Sequence, residues 1–212
     1  MVCIWRKIME ILIDIVLLVV MGLLYWVKRK FLDAKLGKIV GAVIWCVPFV
    51  IYSVIIKETG FQFIEKTYSS VVYIILGIAA QAAMIAYGNN VIPEEKNDKI
   101  YNYFVRPVTS ESVFMGVLIP SLFMIKVMAG FFFGNDMFFL NGAMIVAIIL
   151  YVVVEIYESE QGMDMPDIVL MVVQAYIHAA LIVRMGFIWI NLVLRIIYGV
   201  MRFIKSNKKA KA

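Results

Sequence analysis

His178 is the only histidine in the 212-residue chain. A zinc-protease pair needs two histidines one helical turn apart, and no Ser–His–Asp grouping is suggested by the spacing of the other residues. The chain has no Gly-x-x-x-x-Gly-Lys-Ser/Thr phosphate loop, so it does not hydrolyse ATP by that route. Cys3 and Cys46 have neither metal-ligand nor disulfide-framework spacing. No catalytic residue, metal site or cofactor is therefore expected, and the chain reads as a non-enzyme. An intramembrane enzyme would need a cluster of acid, base or metal ligands that the sequence does not display.

The chemistry that remains is that of charges and amides set into apolar surroundings. Lys126 lies in the middle of the apolar run Pro120-Ser-Leu-Phe-Met-Ile-Lys-Val-Met-Ala-Gly130. A charge at the centre of a bilayer costs about 2.5–3.5 kcal/mol on insertion scales, so Lys126 must face protein or water. It could touch a substrate or lipid headgroup, snorkel, or pair with a carboxylate such as Glu155. Gln174, His178, Arg184, Asn191, Arg195 and Arg202 form a polar stripe, recurring at multiples of about 3.5 residues. Such a stripe either lines a path for an amphiphilic substrate or supplies interhelical hydrogen bonds. Its spacing is too irregular for a voltage sensor. Gln81 lies among Gly77, Ala79, Ala80, Ala82, Ala83 and Ala86, which predicts close helix packing. Arg6, Glu10 and Asp14, four apart, predict a ladder on a solvated or interfacial helix face.

These residues need helices to hold them. The chain is 64% hydrophobic and 17% charged, against about 25% charged residues in soluble domains. Seven apolar segments stand out, at about 9–27, 39–56, 71–91, 113–133, 137–156, 167–184 and 186–204, each near the ~20 residues that cross a bilayer. No alternating ten-residue pattern suggests a barrel. The expected fold is an all-α, polytopic transmembrane helix bundle. It has a six-span core (39–204) with a cytoplasmic loop at 92–112, preceded by one extra N-terminal span and basic connecting segment (1–38) and followed by a basic tail (205–212). The first apolar stretch, about 17 residues, is too long for a signal-peptide core and reads as a retained span. Arg184-Met185-Gly186 is a poor hairpin. One helix over 167–205 would be roughly 57 Å long against a core of ~30 Å, so two spans are favoured over one. With seven spans, thirteen of the twenty Lys and Arg fall on one side and five on the other, with Lys126 and Arg195 inside spans. The richer side, with the 91–112 loop and the C-terminus, is expected in the cytoplasm and the N-terminus outside, in the cell (plasma) membrane. The net charge of +5 is spread through short loops and a tail, without a basic helix or aromatic-studded basic strand, so nucleic acid is not an expected partner.

Residues 91–116 form the longest polar connection. Pro93 suits a first helical position, with Glu94, Glu95 and Asp98 near a helix N-terminus. Ile100, Tyr103 and Phe104 share a helical face, with Tyr101 and Val105 beside it. Arg106 precedes Pro107, which predicts a helix end, and Thr109, Ser110 and Ser112 are candidate caps for the next span. The stretch Glu94-Glu95-Lys96, Ile100 to Val105, Arg106-Pro107-Val108-Thr109 and Gly116 resembles the coupling loop of type-2 ATP-binding cassette (ABC) exporter permeases. It departs from them where Asn97-Asp98 replaces Gly-Thr and Gly116-Val117 replaces Gly-Lys. The resemblance covers about 25 residues. It implies a permease subunit of an ATP-driven exporter of peptide, drug-like or lipid cargo, acting as a homodimer or heterodimer of permeases in the lipid bilayer. It also implies a separate cytoplasmic ATP-binding cassette ATPase subunit, engaged through Glu94, Glu95, Ile100, Tyr101, Phe104, Arg106 and Pro107. The alternative is a pore-forming or immunity-type membrane protein without an ATPase, its pore lined by the polar stripe.

Overall fold

The computed structural model describes residues 2–56, 68–87, 99–123, 132–134, 139–158, 164–185 and 188–209, and within them the chain is helical almost throughout. Helix α1 (Val2–Val27) continues without a break through a π-helical turn (Lys28–Leu32) into α2 (Asp33–Leu36). Gly37, at φ 85°, makes the reversal into α3 (Lys38–Ile56), a backbone conformation that L side chains rarely adopt. Helix α4 (Tyr68–Tyr87) follows. Residues 99–123 then form one rod: a π turn (Tyr101–Val105), α5 (Arg106–Ser110), a second π stretch (Glu111–Leu118) and α6 (Ile119–Phe123). A two-stranded antiparallel hairpin pairs β1 (Phe132–Gly134) with β2 (Phe139–Asn141). The chain continues with α7 (Gly142–Glu158), α8 (Met165–Met185) and α9 (Trp189–Lys209).

The rods run up and down between two ends. Lys28, Tyr101 and Glu158 meet at one end, where Lys99 also bonds Asn207 and Lys205 bonds the Ile85 carbonyl. At the opposite end the Tyr73 ring meets Phe139 of the hairpin, 6.5 Å between centroids. Lys28, Lys99 and Lys205 thus gather at one end of the bundle, its basic end.

The 99–123 rod is central: every residue from Thr109 to Ile119 is buried. This corrects three expectations. Residues 99–112 are helical without a break and half-buried or buried, so this part of the connection is not an open polar loop. Nor does the helix end at Arg106. The Arg106 N–H reaches back five residues to the Tyr101 carbonyl, and in such winding Tyr103 O looks to residue 108 and not to Pro107, which has no N–H to give. Thr109 and Ser112 do not cap a new helix; their hydroxyls fold back onto the carbonyls of Val105 and Val108, each at 2.8 Å, which lets them be buried.

The apolar segments at 113–133 and 137–156 are offset too. Phe132–Gly134 and Phe139–Asn141 are strands, and Asn141 caps α7 by accepting the Met144 N–H at 2.9 Å. Gly134-Asn135-Asp136 between aromatic flanks is turn chemistry that hydropathy does not register. The boundary near residue 184 is settled as two helices: Asn191 bonds the His178 carbonyl at 2.9 Å, whereas in one continuous helix these residues would be about 20 Å apart.

By length and composition, one helix among the described residues, Met165–Val183, is long and apolar enough to cross a membrane; Lys38–Ile51 and Val71–Ala83 are shorter apolar helices. Helix α7 has 17 residues, and α9 carries Arg195, Arg202 and Lys205. Helix length and composition alone therefore do not support a six-span core. Of the small residues around Gln81, Gly77 is buried, 3.0 Å from Leu194 Cδ1 measured from the position a Cβ would take, while Ala79, Ala82 and Ala86 face outward.

Candidate functional site

Glu111 sits at the start of the second π stretch with no exposed surface. Four helices bring groups to it or to its partners. From α8, His178 Nδ1 lies 2.8 Å from Oε1. From α9, Asn191 donates to Oε1 at 3.0 Å and Arg195 Nε donates to Oε2 at 3.0 Å. Arg195 also donates to the Tyr151 hydroxyl of α7, over whose ring its guanidinium lies at 5.2 Å. On the far side of the imidazole, Gln81 of α4 places its amide nitrogen 3.5 Å from His178 Nε2. A carboxylate only accepts, so His178 Nδ1 carries the hydrogen. Glu111 and Arg195 balance in charge, which is the condition for burying either.

Tyr151 begins a column along α7. Tyr151, Glu155 and Glu158 share one face at spacings of four and three. Glu155 takes Arg106, through Nε at 3.1 Å and a terminal guanidinium nitrogen at 2.5 Å. Glu158 takes Lys28 at 2.6 Å, the Tyr101 hydroxyl at 2.6 Å and the Tyr25 hydroxyl at 2.9 Å. Lys28 also donates to Tyr101 at 3.0 Å and lies 3.5 Å from Asp33. Three ion pairs thus step from the basic end to Glu111.

At the basic end, burial by itself would raise the Glu158 carboxyl, but Lys28 and the bonds from Lys28 and Tyr101 hold it below its ordinary value. Burial pushes Asp33 up, against the pull of Lys28. The sign for Glu158 follows from linkage: a depressed carboxyl stabilises the fold above its unfolded value and loses that contribution as pH falls through its lower folded value. Lys28→Met should remove this acid sensitivity. Because it strands a buried carboxylate, it should also cost about 3–5 kcal/mol. Thermal melts against pH would measure both; an unchanged melting temperature would rule out the lysine as the tie between α1 and α7.

Of the residues singled out from sequence, His178, Asn191 and Arg195 converge at Glu111, and Gln81 meets the far side of His178. Gln174 is fully buried one turn before His178, with neither amide atom hydrogen-bonded among the described residues. Glu94, Glu95 and Lys126 lie outside the described residues, as does the side chain of Arg184. Arg202 stacks over Tyr103 and Tyr198, at 5.5 and 5.7 Å. The Glu155 carboxylate offered as a partner for Lys126 bonds Arg106. The coupling candidates that lie among the described residues face inward to different degrees. Tyr101 and Pro107 are buried, Arg106 is engaged by Glu155, and Phe104 packs on Phe203 (6.2 Å) and against Gly199; Ile100 is half-buried. Their helix is the central rod, covered on several sides. Glu111, Tyr151, Glu158 and Lys28 are the residues that sequence reasoning missed. The signals were the 151/155/158 spacing and the need of Arg195, mid-segment, for a buried carboxylate.

No protein-family model matches the chain, and no curated protein or solved structure does.

Proposed function

We propose that the chain is a multi-pass membrane permease subunit, with its basic end in the cytoplasm, worked by a separate ATP-binding cassette ATPase. The observation that carries the membrane reading is the inverted distribution of polarity. Outward faces bear Leu12, Val19 and Leu23 on α1, Val43 and Val47 on α3, Ile149 and Val153 on α7, and Val193, Ile197 and Val200 on α9, all exposed. Glu111, His178, Asn191 and Arg195 are inside. In water this would be a large apolar surface around a costly polar core; in lipid each group has a suitable neighbour. The six-span core and the added first span are part of the proposal.

The transport reading draws on the loop's resemblance together with the continuity of the 99–123 rod. That rod runs from the residue after Asp98 to Glu111 and beyond, so a push on the loop at the basic end would reach the ion cluster without an intervening hinge. The inward-turned Tyr101 and Arg106 fit this as ties that pass motion to α7.

In a background with Cys3 and Cys46 replaced by serine, cysteine substitutions at Gly60, Asp98, Gly162 and Lys208 test the topology: only the one at Gly60 should react with an impermeant external thiol reagent. Purification of the native complex in mild detergent tests the partner, and an ATP-hydrolysing subunit should accompany the chain. The expected labelling without such a subunit would end the ATPase reading and leave the membrane reading standing.

A further inference from the structure

We infer that His178 is a proton-loading site, filled at Nε2 and served by the carboxamides of Gln81 and Gln174. The Nδ1 side is committed, because Glu111 Oε1 at 2.8 Å can only accept, and Nδ1 keeps its hydrogen in either charge state. The Nε2 side is open to change. Its neighbour is Gln81 Nε2 at 3.5 Å, the long limit of a hydrogen bond, where an amide N–H meets the lone pair of a neutral imidazole.

A glutamine amide offers a donor at one end and an acceptor at the other, so half a turn of Gln81 presents Oε1 to a protonated Nε2. Gln174 lies one turn before His178 on the same face of α8 and is fully buried, with neither amide atom hydrogen-bonded among the described residues. Asn191 Oδ1 is a further buried acceptor without a hydrogen-bond partner among the described residues. Buried polar atoms are rarely left idle. A histidine that gains an N–H at Nε2 needs an acceptor there, and the turned Gln81 amide supplies one.

The helices around His178 supply a mixed electrostatic setting. The 99–123 rod gives Glu111, which favours an added positive charge. Helix α9 gives Arg195, which opposes it. Helix α7 gives Tyr151, bonded to Arg195, with Glu155 one turn beyond, and α4 faces the imidazole with uncharged Gln81. Loading takes one proton from water onto the Nε2 lone pair. It changes the Glu111–Arg195–His178 sum from zero to plus one and breaks no covalent bond. The mechanical outcome is a reversed hydrogen bond across the α4–α8 seam. This goes beyond the permease reading and does not depend on an ATPase.

The sole histidine makes the test direct. The full chain, purified on a histidine-free tag and reconstituted in lipid nanodiscs, is labelled with nitrogen-15 in its imidazole. The spectrum should show the Nδ1–H tautomer at the alkaline end and conversion to the doubly protonated ring as pH is lowered. The Gln81 side-chain amide signals should move with the same midpoint. Gln81→Glu, a charged acceptor, should raise the midpoint by about one unit, a tenfold gain in proton affinity. Gln174→Leu should lower it by about half a unit. An Nε2–H tautomer at the alkaline end, loss of helical circular dichroism before any conversion, or a midpoint that Gln174→Leu and any folded Gln81→Glu leave in place would each overturn the inference.

Discussion

Glu111→Ala is expected to leave a chain that barely holds its fold in detergent. Three donors converge on that carboxylate, from His178, Asn191 and Arg195. Removing it leaves the Arg195 guanidinium buried, with the Tyr151 hydroxyl as its remaining side-chain partner. Breaking a buried pair from one side costs about 3–5 kcal/mol, a large share of the roughly 5–15 kcal/mol that holds a typical domain together. The melting temperature should fall by roughly 6–20 °C for a chain of this size. The companion Glu111→Leu with Arg195→Met removes both charges and restores apolar packing, so it should recover most of the loss. A single Glu111→Ala variant that melts within about 2 °C of the parent would show that the cluster contributes little.

The second large effect is at Gly199. There α9 crosses the central rod so closely that a Cβ would lie 2.3 Å from the Tyr103 carbonyl oxygen and 2.9 Å from Phe104 Cδ1. A ring can tilt, but a backbone oxygen inside a helix cannot yield, so Gly199→Ala must push the helices apart by on the order of 1 Å. Retreat would also loosen Arg202 over Tyr103 and Phe203 against Phe104. Overpacking of this kind costs about 1–3 kcal/mol, or roughly 2–12 °C. Gly22→Ala is the matched control, since a Cβ there meets nothing within 4 Å and alanine is the better helix former. Similar melting temperatures for the two variants would mean that the α9 seam is not tight.

The helices themselves were legible because apolar runs of bundle-spanning length announce them, and the polar stripe was legible because amides and guanidinia stand out against such runs. The reversal near residue 186 followed from length and from the balance of Lys and Arg between the two sides. What could not be read was which way helical faces turn. Tyr101 and Phe104 look the same in sequence whether they point at a partner or at Glu158 and Phe203. Pro107 is a sound stop signal in ordinary α-winding, and it misled because the turn before it is π-wound. That misreading hid Glu111, which was counted with a water-facing loop and so was never set against Arg195. The hairpin at 132–141 was lost because hydropathy weighs Phe equally in a strand and in a helix.

Glu111 stands 67, 80 and 84 positions ahead of His178, Asn191 and Arg195. On a growing chain its carboxyl is therefore made long before anything can neutralise it, and α8 and α9 are the elements that complete the circuit. Until α8 and α9 have joined, the central rod carries an acid whose charge Arg195 has not yet balanced, so the order of synthesis leaves the last described helices to close the cluster.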